Sequence, residues 1–229
     1  MAMAASSARQ GSGKNDQDVR LSKKLTYVLR HQAVALGFEI DSGGYINVKD
    51  LLAHKIFKGY TLDDIKHVAA SNDKQRFSLR NNTSTWLLQI CANQGHSFEL
   101  PDLELTPITD AAGYPTIIHG TYFKPWDVIQ KRYSVLTSQG LKRMKRTHIH
   151  FAQGEPGEDG VISGMRASCQ VMIFLNLQKA LQDGLHFFLS KNGVVLSPGD
   201  ANGIIHPKYF SQVLRVRPRQ QIQFTVQDS

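Results

Sequence analysis

Arg30 and His31 stand side by side at the end of the apolar run in VLRHQAV, residues 28–34. An arginine offers a planar fork of donors to two phosphate oxygens, and a histidine beside it can carry a proton near neutral pH. Three further places put polar residues where packing alone does not ask for them. Lys74 and Arg76 lie in SNDKQRFSL just ahead of a β-like segment, His119 ends an apolar segment in IIHGT, and Arg166 is presented by the glycine-containing loop GVISGMRAS. Each has a plain structural reading by itself: a helix end, a solvated turn, a satisfied core histidine, an ordinary turn. Together they supply three arginines, a lysine and histidines, without a carboxylate pair, a nucleophilic cysteine or an HExxH pattern. Such a set suits holding a dianionic phosphate rather than activating water.

Elements must hold these groups in place. Leu21, Leu25, Val28 and Leu29 recur at helical spacing, which predicts an amphipathic helix from Asp18 to about His31, its two cations at the end the helix dipole makes favourable for positive charge. A Gly-Gly turn, the short strand YINV, a second helix from Val48 to His54 and a third begun by Thr61, with Asp64 at capping-box distance, follow. QRFSLR and TWLLQI then read as strands across the turn NNTS. Three short helices and a hairpin describe a winged-helix module, an arrangement used for nucleic acids and for docking proteins alike. ELTPITDAAGYPT changes the character of the chain and is taken as the interdomain connection. Beyond it TIIHGTYF, THIHFA, CQVMIFLNL, LHFFLS, GVVLS and QIQFTV are short and β-branched or aromatic, with one or two helices among them. The expected fold class is α+β: a disordered tail over 1–17, a first domain over 18–108, and a mixed, largely β domain over 109–229.

The 229 residues suffice for two small cores. A net charge of +8 argues for polyanionic partners, and it is uneven: 13 basic against 11 acidic residues up to Ile108, then 14 against 8. The run LKRMKRTH concentrates Lys142, Arg143, Lys145 and Arg146, either as a solvated face or as a contact for a nucleic-acid backbone. Two cysteines, Cys91 and Cys169, in apolar stretches make a disulfide framework unexpected and a reducing compartment the default, so an intracellular location, cytoplasmic or nuclear, is expected. No apolar stretch approaches the roughly 20 residues of a membrane span, and MAMAASSARQGSGKNDQD lacks a signal-peptide core. Neither a P-loop nor a GxGxxG pattern occurs.

In this order and at these separations, LSKKLTYVLRH, NDKQRFSL, ANQGHS, IIHGT, RTHIHFA and GVISGMR resemble the tRNA 2′-phosphotransferase family (KptA-like) over about residues 19–217. The resemblance implies a winged-helix RNA lobe followed by an ADP-ribosyltransferase-like lobe that takes NAD. It implies removal of the internal 2′-phosphate left at a tRNA splice junction, with NAD as co-substrate, no metal, and a monomer acting on RNA without a membrane. In the family's reaction the 2′-phosphate attacks the ribose C1″ of NAD and expels nicotinamide; the 2″-hydroxyl then attacks phosphorus, releasing 2′-OH RNA and ADP-ribose 1″,2″-cyclic phosphate. Carried over motif by motif, the catalytic set falls on Arg30, His31, Arg76 and Arg166. Lys74 and Arg146 become phosphate or RNA contacts, and His119, Gly120, Thr121, His150, Ser163 and Gly164 fall to NAD. VIQKRYSVLTSQGLKRM departs from the pattern in being longer and more basic. Two other classes stay open: an ADP-ribosyltransferase acting on RNA ends or on protein, and a non-catalytic winged-helix RNA adaptor.

Overall fold

The computed structural model describes residues 6–130, 140–158, 161, 162 and 164–224. Within these the chain is α+β and divides into two compact units, Met1–Leu103 and Glu104–Ser229.

The first unit opens with helix α1 (Ser6–Tyr27), followed by a π-helical turn over Val28–Gln32. The tail expected to lack structure up to residue 17 is therefore helical from Ser6 on. Once the packed turns around Leu21 and Leu25 have nucleated a helix, each further residue adds a hydrogen bond at small cost. The helix ends at Gln32, within a residue of the expected end near His31, and one further turn follows. That turn stops at a Schellman motif, in which Phe38 N–H donates to Ala33 C=O (3.0 Å), Gly37 N–H donates to Val34 C=O (3.0 Å), and Gly37 takes the left-handed conformation at φ 77°. Arg30 and His31 thus sit in the widened last turn of the helix, at the C-terminal end where the sequence puts them.

After β1 (Ile46–Asn47), α2 (Val48–Ala53) and a short 3-10 turn comes α3 (Leu62–Ser71). Its capping box is complete: Thr61 Oγ1 accepts from Asp64 N–H, and Thr61 N–H donates to the Asp64 carboxylate. Strands β2 (Phe77–Asn81) and β3 (Leu88–Ala92) pair antiparallel, Phe77 opposite Ala92, and β1 adds on the far side of β3 to give the order β1-β3-β2. Thr85 and Trp86, expected in the second strand, belong to the turn. Leu21, Leu25, Val28, Leu29, Ile65, Phe57, Phe77 and Ile90 close one core, each large side chain contributing about 1.5–3 kcal/mol by leaving water.

The second unit contains β4 (Leu105–Ile108), β5 (Ile118–Thr121), α4 (Phe123–Gln130), β6 (Leu141–Lys142), β7 (Ile149–Phe151), β8 (Val171–Leu175), α5 (Leu177–Gln182), β9 (Phe187–Ser190), β10 (Val195–Ser197), β11 (Ile204–Ile205), β12 (Phe210–Arg215) and β13 (Gln220–Gln221). Two four-stranded sheets, β4-β9-β10-β7 and β13-β12-β8-β5, enclose a core around Ile117, Phe151, Ile173 and Phe187. An isolated bridge between Ile118 and Ala152 ties β5 to the end of β7.

Three sequence expectations change here. ELTPI is a strand and not a linker, so the division falls before Glu104 rather than after Ile108. Its Pro107 is tolerated because β4 lies at a sheet edge. β12 carries no regular alternation in sequence because its register shifts between Phe210 and Gln212. Of QIQFTV, residues 221–226, Gln221 is the one described residue in a strand, while Ile222 and Phe224 pack on the core and residues 225 and 226 lie outside the described residues.

Candidate functional site

The first unit holds a cleft of about 950 Å³ lined by Arg30, His31, Lys74, Arg76 and Asn72, among others. Four of the sequence-derived site residues therefore share one concavity. The π-helical turn carries two of them and the turn just ahead of β2 the others. Such turns insert a residue into a helix and are frequent at functional sites.

The loop after β3 fixes the first pair. Gly95, at φ 89°, lies so close to Arg30 that a Cβ there would stand 3.2 Å from Nη1, so only glycine lets the loop cover the guanidinium. Arg30 is in consequence 7 % exposed. Ser97 N–H donates to Arg30 C=O (3.0 Å), and Ser97 Oγ stands 3.3 Å from the same carbonyl and 3.1 Å from His31 Nδ1. A hydroxyl has one proton. With that proton on the carbonyl, His31 Nδ1–H donates to the hydroxyl oxygen, which leaves Nε2 as the basic nitrogen of His31.

Arg76 is fixed from two sides. Its Nη1 and its backbone N–H donate to Asn72 Oδ1 (3.1 and 3.3 Å), while Asn93 N–H donates to Arg76 C=O (2.9 Å). Asn93 Nδ2 also donates to Gln75 C=O (2.7 Å), holding a residue at φ 43° that a side chain adopts only at some cost. Burial lowers the Arg76 guanidinium from its ordinary pKa and the Asp73 carboxylate partly offsets this, so Arg76 stays cationic. Asn93, Gly95 and Ser97 were quoted in the sequence only as parts of ANQGHS, and nothing set them apart within it. Asn72 was likewise quoted only as the first residue of NDKQRFSL and carried no separate signal.

In the second unit His119 lies on β5, where Nδ1–H donates to His150 C=O on β7 (2.9 Å). Burial pushes the His119 imidazole below its ordinary pKa, the His150 carbonyl opposes this, and the Arg146 charge adds to the depression. His119 is therefore a neutral ring with Nε2 as acceptor, suited to a ligand hydroxyl. Thr121 and His150 are both buried. Gly120 does not face open space: a Cβ there would lie 2.8 Å from Met165 Cβ and 3.1 Å from Cys169 Cβ, so its smallness seats the loop bearing Arg166. Gly164, at φ 115°, lies against the backbone of Ala152, where a Cβ would stand 2.6 Å from Cα. Both glycines assigned to NAD thus have packing roles. Ser163 lies outside the described residues.

Arg146 and Arg166 are neighbours. Desolvation first, and the charge of Arg166 second, lower the Arg146 pKa. Tyr122 joins them: its hydroxyl is 3.0 Å from Ser168 Oγ, and Ser168 and Arg166 together lower its pKa. Two guanidinium groups whose charges act on one another in this way are relieved by an anion lying against them, which suits a phosphate. The rest of the basic run is not uniformly solvated. Lys142 is exposed on β6, whereas the Arg143 side chain packs over Gly203, with Nε 2.6 Å from the position a Cβ would take. Residues 131–139 of the longer, basic segment lie outside the described residues. Among the described residues no group of three or more His, Cys, Asp or Glu could hold a metal ion, and no helix is long and apolar enough to cross a membrane.

Residues 16–199 match the family model described as "RNA 2'-phosphotransferase, Tpt1 / KptA family". The chain is 50 % identical over 215 residues to "tRNA 2'-phosphotransferase 1" of Danio rerio, an alignment covering 92 % of each chain. It is 40 % identical over 198 residues to "tRNA 2'-phosphotransferase" of Saccharomyces cerevisiae, covering 82 % of each. It is 36 % identical over 181 residues to "Probable RNA 2'-phosphotransferase" of Burkholderia pseudomallei, covering 78 % of this chain and 89 % of that one.

Proposed function

The chain belongs to the RNA 2′-phosphotransferase family and is a transferase, and from that premise we propose that it removes the internal 2′-phosphate of a spliced tRNA with NAD as acceptor. The observation that carries this reading is the convergence of Arg30, His31, Lys74 and Arg76 on one cleft of the first unit. Three helices followed by an antiparallel hairpin support reading that unit as a winged-helix RNA lobe. A two-sheet second unit bearing His119, Thr121 and His150 on facing strands supports an ADP-ribosyltransferase-like lobe for NAD.

The chemistry proceeds in two displacements. A 2′-phosphate oxygen forms a bond to the ribose C1″ as the bond from C1″ to nicotinamide breaks, and nicotinamide leaves with the electron pair. This step passes through a cation-like ribose and needs positioning more than a strong base. His119, with its acceptor nitrogen fixed, is suited to hold a ribose hydroxyl. In the second step the 2″-hydroxyl oxygen bonds to phosphorus, its proton goes to a base, and the bond from phosphorus to the RNA 2′-oxygen breaks as that oxygen takes up a proton. His31 Nε2 accepts or returns such a proton in this scheme, and Arg30, Lys74 and Arg76 hold the phosphate oxygens as charge builds on them. Arg166, next to Arg146 on the second unit, completes the proposed catalytic set of Arg30, His31, Arg76 and Arg166.

Ser97 orients His31 in this scheme. Ser97→Ala is expected to lower kcat about tenfold, the equivalent of one hydrogen bond of ~1.4 kcal/mol, with the KM for RNA little changed. Ser97→Thr, which keeps the hydroxyl, should restore the rate; steady-state kinetics of the two variants check this, and a silent Ser97→Ala removes Ser97 from the account.

The reading is tested by offering the protein and NAD a 2′-phosphorylated RNA, a 5′-phosphorylated RNA and a protein acceptor, each with and without a chelator. Loss of phosphate from the first RNA alone, dependent on NAD and indifferent to the chelator, is the expected outcome. Stable ADP-ribose on the RNA end or on the protein would instead make the chain an ADP-ribosyltransferase of those acceptors.

A further inference from the structure

The turn joining β2 to β3 holds a residue that the cleft does not use. Trp86 is 79 % exposed and sits at φ 59°, a left-handed conformation in which a bulky side chain is strained. The turn is nonetheless closely tied. Asn82 Oδ1 accepts from the N–H groups of Ser84 and Thr85 (both 2.9 Å), Asn82 N–H donates to Leu87 C=O (2.9 Å), and Trp86 N–H donates to Asn82 C=O (2.8 Å). The indole is thus carried on a fixed turn while most of its surface stays in water, an arrangement that core packing does not require.

The surroundings discriminate between occupants. Asn81, Asn82, Thr83, Ser84 and Thr85 before it are all polar, and Leu87, 40 % exposed, is the one other large apolar residue of the turn with much of its surface in water. Docking of a protein calls for a contiguous apolar patch. A single flat ring in a polar turn suits a single flat partner, and every nucleobase presents such a face. We propose that Trp86 stacks on an unpaired base of the RNA substrate, a contact that rests on the RNA-processing reading and extends it beyond the phosphate cleft.

The hairpin sets the distance. Arg76 immediately precedes β2, and five residues of strand carry the chain about 17 Å from it. At the ~3.4 Å spacing of stacked bases this corresponds to roughly five nucleotides, so the base concerned is remote from the one bearing the phosphate. Short substrates do not reach it.

The protein has two tryptophans, and the other, Trp126, is 2 % exposed, so an RNA-dependent change in indole emission reports chiefly on Trp86. Titrating a stem–loop RNA without a 2′-phosphate should quench the emission of the full chain and leave Trp86→Asn unchanged; asparagine is chosen because it accepts the left-handed turn. In turnover, Trp86→Asn should raise the KM for a 2′-phosphorylated stem–loop about tenfold, leave kcat alone, and leave the KM for a 2′-phosphorylated trinucleotide unchanged, while Trp86→Tyr keeps most of the wild-type affinity. Absence of quenching, an unchanged stem–loop KM, or an equal rise with the trinucleotide overturns the stacking contact; the first two results would leave the ring to a protein partner. Because quenching requires no catalysis, quenching without turnover would count against the phosphate-removal reading and for the stacking contact.

Discussion

Arg30→Ala is expected to slow 2′-phosphate removal by about 10²–10³-fold, the usual consequence of removing one preorganised donor from a developing negative charge. Arg30 is held for this role before any substrate arrives. It stands in a widened helical turn, its carbonyl is engaged by Ser97, and Gly95 lies directly over its guanidinium. Little reorganisation remains to be done in the transition state, which is the condition under which a donor contributes most. Arg30→Lys separates charge from geometry, because a lysine restores the positive charge without the planar fork. It should recover only part of the rate. Thermal unfolding of both variants shows whether the fold survives, and a folded Arg30→Ala with near wild-type turnover would remove Arg30 from the catalytic set.

The second large effect belongs to Arg76→Ala, and it separates the two steps. In the first step the phosphate is the nucleophile, and losing one of several cationic contacts leaves it no less nucleophilic while the others still orient it. In the second step negative charge grows on the phosphorus centre and on the departing 2′-oxygen, so the missing contact is felt directly in the transition state. The second step should slow by about 10²-fold or more and the first by much less. RNA that carries ADP-ribose through its 2′-phosphate then accumulates during a rapid-quench time course. Asn72 and Asn93 hold Arg76 through its side chain and backbone, so Asn72→Ala is the milder version of the same defect. A slow Arg76→Ala that never raises this species above the wild-type level would mean that Arg76 acts mainly in binding RNA, both steps falling together.

Arg30, His31, Lys74 and Arg76, which line one cleft, were legible in the sequence because their chemistry is unusual for their surroundings. What packs around them was not. Gly120 read as a place where another stretch of the chain or a ligand approaches closely, and it is the Met165–Cys169 loop that does so. Such a long-range packing partner leaves no trace in local spacing. The helix over Leu21 to Leu29 and the Thr61 capping box were visible because period and cap act within a few residues. The end of the first helix near His31 was legible too, because two cations suit that end of the dipole, whereas the further turn through ALGF, closed by its left-handed glycine, was not foreseen. β4 and β12 were missed for a related reason: an edge proline in one and a register shift in the other remove the alternation by which strands are read. Ser97 illustrates the remaining gap, since a serine that orients a histidine is indistinguishable in sequence from any loop serine.

The fate of a single labelled phosphorus atom tests the central claim most directly. An RNA carrying an isotopic label only in its internal 2′-phosphate is mixed with the wild-type protein and NAD, and the products are separated. The label should pass first to RNA joined to ADP-ribose and end in ADP-ribose 1″,2″-cyclic phosphate, with nicotinamide released in equal amount. Label recovered as inorganic phosphate in the absence of NAD would contradict the account.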